Sequence, residues 1–217
     1  MGVEHHGTRH RAPMDPILET LRHIPPSTIG HFLDEGFLDI EIRPIFRPIA
    51  LVGRALTISA PPRDNGIYRR ALRESHPGDV LVIHRGGDQR HASFGGNLGL
   101  ATKNCGIAGV VLDGPVTDLA ELTEIKLPVF ALGVSALTTR RLDLGGTIGE
   151  PIICGGVNVA AGDYVVADDD GVLIIPASRI EAVVEQGRIA RQREKETWRL
   201  LSECKTLDDL DAIRRKA

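Results

Sequence analysis

Four runs of aliphatic and β-branched residues lie between residues 49 and 132, and a segment of helical character follows each of the first three. The runs cover residues 49–60, 80–84, 107–113 and 128–132. Alternation of this kind is typical of α/β domains, in which helices cover a buried sheet. Because aromatic residues make up only 4% of the chain, its core must consist mainly of Val, Ile, Leu and Ala.

The last third of the chain departs from that alternation. Residues 145–175 hold short apolar strands that are separated by glycines and an acidic turn, whereas residues 177–202 carry apolar residues on one helical stripe. The first of these segments lacks regular crossover helices, so a doubly wound parallel sheet is disfavoured. We therefore predict an α/β fold of layered strands and helices, with a long C-terminal helix that lies partly at a subunit contact.

The N-terminal residues indicate where the fold begins. Residues 1–13 lack hydrophobic periodicity and predict a mobile leader. The pair Asp15-Pro16 is typical of a helix start, and a second short helix is predicted over residues 27–36. Residues 14–217 are expected to form a single domain, because nothing in their composition marks a boundary.

Charge and cysteine content disfavour several classes of protein. The 26 basic and 29 acidic residues give a formal net charge of −3 and are spread along the chain, so a nucleic-acid binder is disfavoured. Three widely spaced cysteines suit reduced thiols better than disulfides, which favours the cytoplasm. The sequence contains no apolar run of about 18 residues, so we expect a soluble protein without a membrane span.

The segment from Phe94 to Asp118 concentrates the features that indicate a binding site. Gly95 and Gly96 open a predicted helix, and a buried strand then delivers Asp118 after a predicted turn at residues 113–115. Free N–H groups at a helix start bind carboxylates or phosphates, and glycines let a ligand approach the backbone closely. The segment matches neither the dinucleotide fingerprint nor the P-loop. An anion site is one interpretation, and a glycine-rich packing turn is the other.

The same segment resembles the signature of the 4-hydroxy-4-methyl-2-oxoglutarate aldolases and of the regulator of ribonuclease E activity A. That signature is a glycine, twenty residues and then Arg-Asp, usually within a run like D-G-x-V-R-D. Here Gly96 is followed by twenty residues and then by Thr117 and Asp118, within the run DGPVTD. Other pieces stand in the family's order, and the similarity covers roughly residues 25–200. These pieces are PGDVLVIH, PVFALG and AGDYVVADDDGVLIIP.

The resemblance implies a swivelling β/β/α fold, assembled as a ring-shaped trimer or as a hexamer of paired trimers, with active sites where neighbouring subunits meet. In the aldolases of this family the backbone of the glycine-rich loop and the motif arginine hold the pyruvyl end of the substrate. The corresponding loop residues here are Gly95, Gly96, Asn97 and Leu98.

The resemblance also implies a metal. The motif aspartate, here Asp118, is expected to be the catalytic residue and to bind Mg²⁺ or Mn²⁺ largely through waters. A single carboxylate with water suits such a hard cation. An acidic residue of the C-terminal helix, Glu194 or Glu196, is expected to reach the metal waters of a neighbouring subunit.

Thr117 stands at the substrate-binding position of the motif arginine and marks the point at which this chain departs from the family pattern. A hydroxyl does not offer a carboxylate the charged, two-pronged donor that arginine offers. Three explanations stay open: the substrate differs, the site is degenerate, or another cation reaches the site. Candidates for that cation are Arg63, Arg85 and Arg140.

Other polar features have both a functional and a structural interpretation. His84 and His91 flank the loop before the glycine pair and are candidate acid–base groups. Lys103 could form a Schiff base, although a solvent-facing helix lysine is favoured. The run of residues 168–171, Asp-Asp-Asp-Gly, lacks the ligand spacing of a calcium loop, which favours a turn between strands.

Three functions are compatible with these features. The first is a metal-dependent lyase that acts on a small 2-oxo acid, either by retro-aldol cleavage to pyruvate or by decarboxylation of oxaloacetate. The second is a non-catalytic regulator that binds a ribonuclease-E-type partner. The third keeps the fold and the metal but changes the reaction to that of a hydratase, isomerase or hydrolase.

Overall fold

The computed structural model describes residues 15–214, which form a mixed α/β fold around one curved sheet. The predicted leader, residues 1–13, lies outside the described residues. The strands are β1 (Arg43–Pro44), β2 (Ala50–Ser59), β3 (Asp79–His84), β4 (Gly109–Val116), β5 (Val129–Val134), β6 (Thr147–Ile148), β7 (Ile152–Cys154), β8 (Val157–Val159), β9 (Tyr164–Asp168) and β10 (Gly171–Ile175). The helices are α1 (Pro16–Leu21), α2 (Pro26–Ile29), α3 (Tyr68–Glu74), α4 (Gly96–Asn104), α5 (Leu119–Ile125), α6 (Ile180–Glu203) and α7 (Leu207–Arg214).

The sheet has the strand order β1-β5-β4-β3-β2-β9-β10, with β6 beside the end of β2. Strands β2 to β5 run parallel to one another, whereas β9 and β10 form an antiparallel hairpin whose strand β9 pairs antiparallel with β2. Strands β1 and β10, at the two ends of the order, contact each other, so the sheet curls into a nearly closed barrel. The layered α/β prediction is therefore confirmed.

Side-chain alternation along the strands divides the core into an inner and an outer part. On β3, Val80 and Val82 point into the barrel, where the β7–β8 hairpin covers them, while Leu81 and Ile83 point outward. Helices α3, α4 and α5 pack on the outer face of β2 to β5. Helices α1, α2 and α6 cover the outer face of the β9–β10 hairpin. None of the helices in residues 15–214 is both long and apolar enough to cross a membrane.

Several predicted boundaries are wrong. Strand β4 continues through the predicted turn at residues 113–115, and a register shift against β5 between Leu112 and Pro115 absorbs the irregularity. Proline is tolerated there because a bulge frees it from donating to the ladder. Helix α2 ends at Ile29, well before Gly36, and α7 was not predicted. By contrast, Asp15 does cap α1, since its Oδ1 accepts the N–H of Ile17 at 2.9 Å.

Asp64 lies in the segment just before α3 and organises the backbone around it. Its buried carboxylate accepts N–H groups from Gly66 at 2.9 Å, Leu142 at 2.9 Å and Leu144 at 2.7 Å. Burial alone would raise the pKa of this carboxyl, but the backbone donors outweigh it and lower the pKa below its ordinary value. Asp64 therefore holds residues 140–144 against the start of α3.

Candidate active site

The predicted signature residues come together at the start of α4. Gly95 is the N-cap of α4, and Thr117 directly follows β4. A β-bridge joins Phe94 to Val116, and the N–H of Thr117 donates to the carbonyl of Phe94 at 2.9 Å. The glycine loop and the end of β4 are therefore held side by side by backbone hydrogen bonds.

Asp118 points toward α4 rather than capping its own helix. It adopts a left-handed backbone conformation, with φ 55° and ψ 48°, and its carboxylate makes no capping bond to α5. Instead, Oδ2 accepts the N–H of Gly96 at 3.0 Å, and Oδ1 accepts the hydroxyl of Thr117 at 3.2 Å. The positive end of the α4 dipole thus stabilises the carboxylate of Asp118.

Glycine is required at three positions of the loop and helix because other atoms fill the space of a side chain. A Cβ on Gly95 would lie 2.5 Å from Oδ2 of Asp118 and 2.7 Å from Cγ2 of Thr117. A Cβ on Gly96 would lie 2.9 Å from Cβ of Glu121, and one on Gly99 would lie 2.6 Å from Cδ2 of Leu122. The absent side chains let α4 and α5 pack closely and let Asp118 reach the start of α4.

A cleft of about 320 Å³ opens above this contact. Its walls include five of the predicted residues: Gly95, Asn97, Leu98, Thr117 and Asp118. Gly96 lies buried beneath the cleft, where its N–H binds Asp118. The other side of the cleft was not predicted from the sequence, because α3 and the segments beside β4 and β5 supply it without any recognisable motif. The missed residues with polar side chains are Asn65, Tyr68, Arg69, Ser93, Thr138 and Thr139.

A buried hydrogen bond defines the back wall of the cleft. The Tyr68 hydroxyl donates to the Ser93 hydroxyl at 2.8 Å, and both residues are almost completely buried. Burial raises the pKa of Tyr68, and the neighbouring Arg85 offsets this only in part. Tyr68 is therefore protonated at neutral pH, which leaves the Ser93 hydroxyl free to donate its own proton into the cleft.

The three arginines expected to replace the motif arginine are not among the residues that line the cleft. Arg85 is completely buried, and its Nη1 donates to the carbonyls of Ala60, Pro61 and Asp64. Arg63 and Arg140 are exposed, and their backbones are paired with each other. Arg85 thus ties together the loop after β2, whereas the other two belong to a neighbouring surface.

The two candidate histidines also lie outside the cleft lining. Nδ1 of His84 lies 2.6 Å from Oδ2 of Asp113, and Nδ1 of His91 lies 3.0 Å from both carboxylate oxygens of Asp88. Asp88 also accepts backbone N–H groups from Arg63, Arg90 and His91. Both histidines thus pair with carboxylates that in turn organise nearby backbone.

The remaining candidates have mainly local partners. Lys103 is exposed and donates to the carbonyl of Ile125, as expected of a surface helix lysine. Residues 168–171 form the turn of the β9–β10 hairpin, which confirms the structural interpretation. Glu194 accepts the hydroxyl of Thr28 at 2.7 Å and pairs with Arg191, while Glu196 pairs with Arg199.

The donor set at Asp118 suits a hydrated cation rather than a metal cage. Within the described residues, no group of three His, Cys, Asp or Glu side chains converges on one point. Asp118 is exposed, and its two hydrogen bonds leave lone pairs on both oxygens open to the cleft. One accessible carboxylate fits Mg²⁺ or Mn²⁺, which keep most of their waters.

A larger groove of about 1180 Å³ lies elsewhere, between α2 and the C-terminal half of α6. It includes Trp198, which is 78% exposed, and the Glu194 side chain. None of the signature residues lines this groove, so its size does not make it the candidate active site.

Similar proteins are known. The sequence profile of the RraA-like family, described as aldolase/RraA, matches residues 30–174. A protein of Halalkalibacterium halodurans named "Putative 4-hydroxy-4-methyl-2-oxoglutarate aldolase" is 34% identical over 196 residues, which cover 89% of this chain and 90% of that protein. Proteins of the same name from Burkholderia mallei are 37% identical over 145 residues, covering 64% of this chain and 86% of theirs.

Solved structures of RraA proteins also resemble this chain. The RNA-processing inhibitor RraA of Thermus thermophilis superimposes with a TM-score of 0.62 and 31% identity, over 69% of this chain and 91% of that one. RraAS2 of Streptomyces coelicolor is described as an unusual member of the RNase ES inhibitor RraA family. It superimposes with a TM-score of 0.75 and 26% identity, over 86% of this chain and 98% of its own.

Proposed function

This chain belongs to the RraA-like family, and on that premise we propose that it is a divalent-metal-dependent lyase acting on a small 2-oxo acid. The observation that carries the proposal is the contact between Asp118 and the N–H of Gly96. This contact holds an accessible carboxylate beside the free N–H groups of a helix start. A carboxylate that would hold a metal and a backbone that would bind an anion thus lie at one cleft, which suits a 2-oxo acid.

The first turn of α4 would bind the substrate carboxylate. Asn97 and Leu98 line the cleft, and their N–H groups belong to the turn that has no acceptors within the helix. Such groups bind carboxylates because they donate hydrogen bonds and carry the positive end of the helix dipole. The Ser93 hydroxyl, oriented by Tyr68, adds a donor from the back wall.

Asp118 would hold Mg²⁺ or Mn²⁺, with waters completing the coordination. When bound, such an ion supplies a Lewis acid that stabilises the negative charge created when a carbon–carbon bond next to a keto group breaks. The same charge develops in retro-aldol cleavage and in decarboxylation of oxaloacetate. Both reactions are therefore compatible with one cleft, and both release pyruvate.

A neighbouring subunit would complete the cleft, in a trimer or a hexamer. Support comes from exposed apolar side chains in the segment that contains the cleft residues Thr138 and Thr139. These side chains are Val134, Leu137, Leu142 and Leu144. Apolar groups clustered at the rim of a site are typical of surfaces that a partner covers.

A regulatory role is the second candidate. It is favoured by the 31% identity to a protein described as an RNA-processing inhibitor. A regulator would bind a ribonuclease-E-type partner without turnover. A changed reaction on a related acid, of the hydratase, isomerase or hydrolase type, is the third candidate and rests on Thr117 alone.

The test is pyruvate release, coupled to lactate dehydrogenase, from oxaloacetate and from 4-hydroxy-4-methyl-2-oxoglutarate. The proposal predicts release from at least one substrate that depends on Mg²⁺ or Mn²⁺ and stops with EDTA. Because divalent ions decarboxylate oxaloacetate slowly by themselves, the control is the same metal concentration without protein. Release no faster than this control on both substrates would contradict the lyase and favour the other two candidates.

A further inference from the structure

We propose that Arg69 supplies the cation that binds the substrate carboxylate in this cleft, in place of the arginine missing at Thr117. The inference rests on the proposed function and adds to it a specificity-determining residue. The ligand class is the carboxylate of a 2-oxo acid.

Arg69 is the only basic residue among the described residues that line the cleft. It is exposed, and within residues 15–214 its guanidinium has neither a salt bridge nor a side-chain hydrogen bond. Most of the other arginines in that part of the chain are held by carboxylates or carbonyl groups. A guanidinium without a partner, at the opening of a cleft, is available to a ligand.

The next residue along α3 provides the contrast. Nε of Arg70 lies 3.5 Å from Oε1 of Glu74, and Nη2 of Arg70 donates to the carbonyl of Gly146 at 3.3 Å. Arg70 is also exposed but does not line the cleft. The two adjacent arginines thus differ in their availability to a ligand. The Arg70 guanidinium is bound by groups of the protein, whereas the Arg69 guanidinium lines the cleft.

The packing of α3 explains why Arg69 faces the cleft. Tyr68 and Ala71 are buried against the sheet, and Tyr68 forms the back wall through Ser93. Asp64 holds the chain just before α3 against residues 140–144. The first turn of α3 and the chain before it are therefore both fixed. The backbone of Arg69 is held in place by these neighbours, and its side chain remains at the edge of the cleft.

The charges of the cleft fit the proposed ligand. Among the described residues lining it, Asp118 is the only acidic one and Arg69 the only basic one. A cation bound by Asp118 would attract the keto oxygen and a carboxylate oxygen. A planar guanidinium binds a carboxylate with two parallel hydrogen bonds, which a lone threonine hydroxyl does not provide.

The test is the binding of pyruvate in saturating MgCl₂, measured by isothermal titration calorimetry on the full chain. Arg69→Met should raise the Kd roughly 10- to 100-fold, the usual effect of losing a charge-assisted hydrogen bond. The Kd of Arg69→Lys should lie between those of Arg69→Met and the wild type, because lysine keeps the charge but cannot donate two parallel hydrogen bonds to one carboxylate. The matched control, Arg70→Met, should bind pyruvate with a Kd within about twofold of the wild type.

Equal Kd values for wild type and Arg69→Met, or equal losses in Arg69→Met and Arg70→Met, would overturn the inference. Absence of pyruvate binding by the wild type would overturn it as well. Failure of the lyase proposal would give a different set of results. In that case no substrate would release pyruvate, while the Kd difference between Arg69→Met and Arg70→Met would persist.

Discussion

The carboxylate of Asp118 accepts the backbone N–H of Gly96 at 3.0 Å, although Asp118 directly precedes α5 and Gly96 begins α4. One carboxylate thereby stabilises the start of a helix other than its own and stays exposed at the edge of the cleft. The spacing of twenty residues between Gly96 and Thr117 is the length of chain that α4 and β4 need to bring both ends together.

Replacing Gly95 by alanine should disable the site without unfolding the protein. The backbone of Gly95, with φ −148° and ψ −171°, is open to any residue, so the effect is steric. The new Cβ would lie 2.5 Å from Oδ2 of Asp118 and would push the carboxylate away. We expect a loss in kcat/KM of at least about tenfold, with a cost in the free energy of unfolding of about 1–3 kcal/mol.

Gly30→Ala is the matched control for this substitution, because a Cβ there would make only ordinary contacts, the closest at 3.4 Å. Steady-state kinetics and urea denaturation of both variants separate the two effects. Equal kinetics for Gly95→Ala and Gly30→Ala would show that the position of Asp118 does not matter to the reaction.

Thr117→Arg should raise the lyase activity if the rest of the site is intact. The backbone of Thr117 is fixed by its hydrogen bond to Phe94, while its side chain is partly exposed in the cleft, so a longer side chain can extend toward the ligand. We expect kcat/KM for pyruvate release to rise by about tenfold, which corresponds to one charge-assisted hydrogen bond. Thr117→Met controls for side-chain size, and a rate no higher than that of Thr117→Met would exclude a latent arginine site.

Asp64 should make the stability of the fold depend on acid pH. Its pKa is lowered in the folded protein, so its contribution is fully present above the ordinary pKa of about 3.8 and is lost as the pH falls through the folded value. In Asp64→Asn the NH₂ of the amide would take the place of the oxygen that now accepts the N–H of Leu144, so two hydrogen-bond donors would face each other. We expect a loss of about 2–3 kcal/mol in the free energy of unfolding at neutral pH.

The difference between wild type and Asp64→Asn should shrink when urea denaturation is repeated from about pH 6 down to about pH 3, because the carboxyl binds a proton in the unfolded chain at a higher pH than in the folded protein. Asp39→Asn serves as the control, since the exposed carboxylate of Asp39 accepts, within residues 15–214, only the N–H of Glu41. A difference that stays constant over this range would mean that the charge of Asp64 does not contribute.

Much of the fold could be predicted because its signals are local. The cap at Asp15, the long α6 helix and the aliphatic strands β2 to β5 each follow from residue order alone. Strand β4 could not be followed through Gly114 and Pro115, because only pairing with β5 and a bulge make proline acceptable in a strand. The long-range hydrogen bond of Asp64 could not be predicted for a similar reason, since its donor, Leu142, lies 78 residues away in the sequence.

Some residues of the candidate site could be predicted from the sequence, and others could not. Gly95 and Asp118 lie in one segment with a recognisable spacing, so they could be named from the sequence. Arg69 and Tyr68 lie on α3, and nothing in the pattern of that helix distinguishes Arg69 from Arg70. The difference arises from tertiary packing, because Glu74 and Gly146 bind Arg70, whereas Arg69 lines the cleft.

The most direct test of the account is to measure pyruvate release against Mn²⁺ concentration for the wild type and for Asp118→Asn. The asparagine oxygen can still accept the N–H of Gly96, so the variant should keep its fold and lose only the charge that binds the ion. We predict saturable Mn²⁺ activation in the wild type and a rate lower by at least about 100-fold in the variant. A variant with the rate and the Mn²⁺ dependence of the wild type would contradict a metal-dependent lyase centred on Asp118.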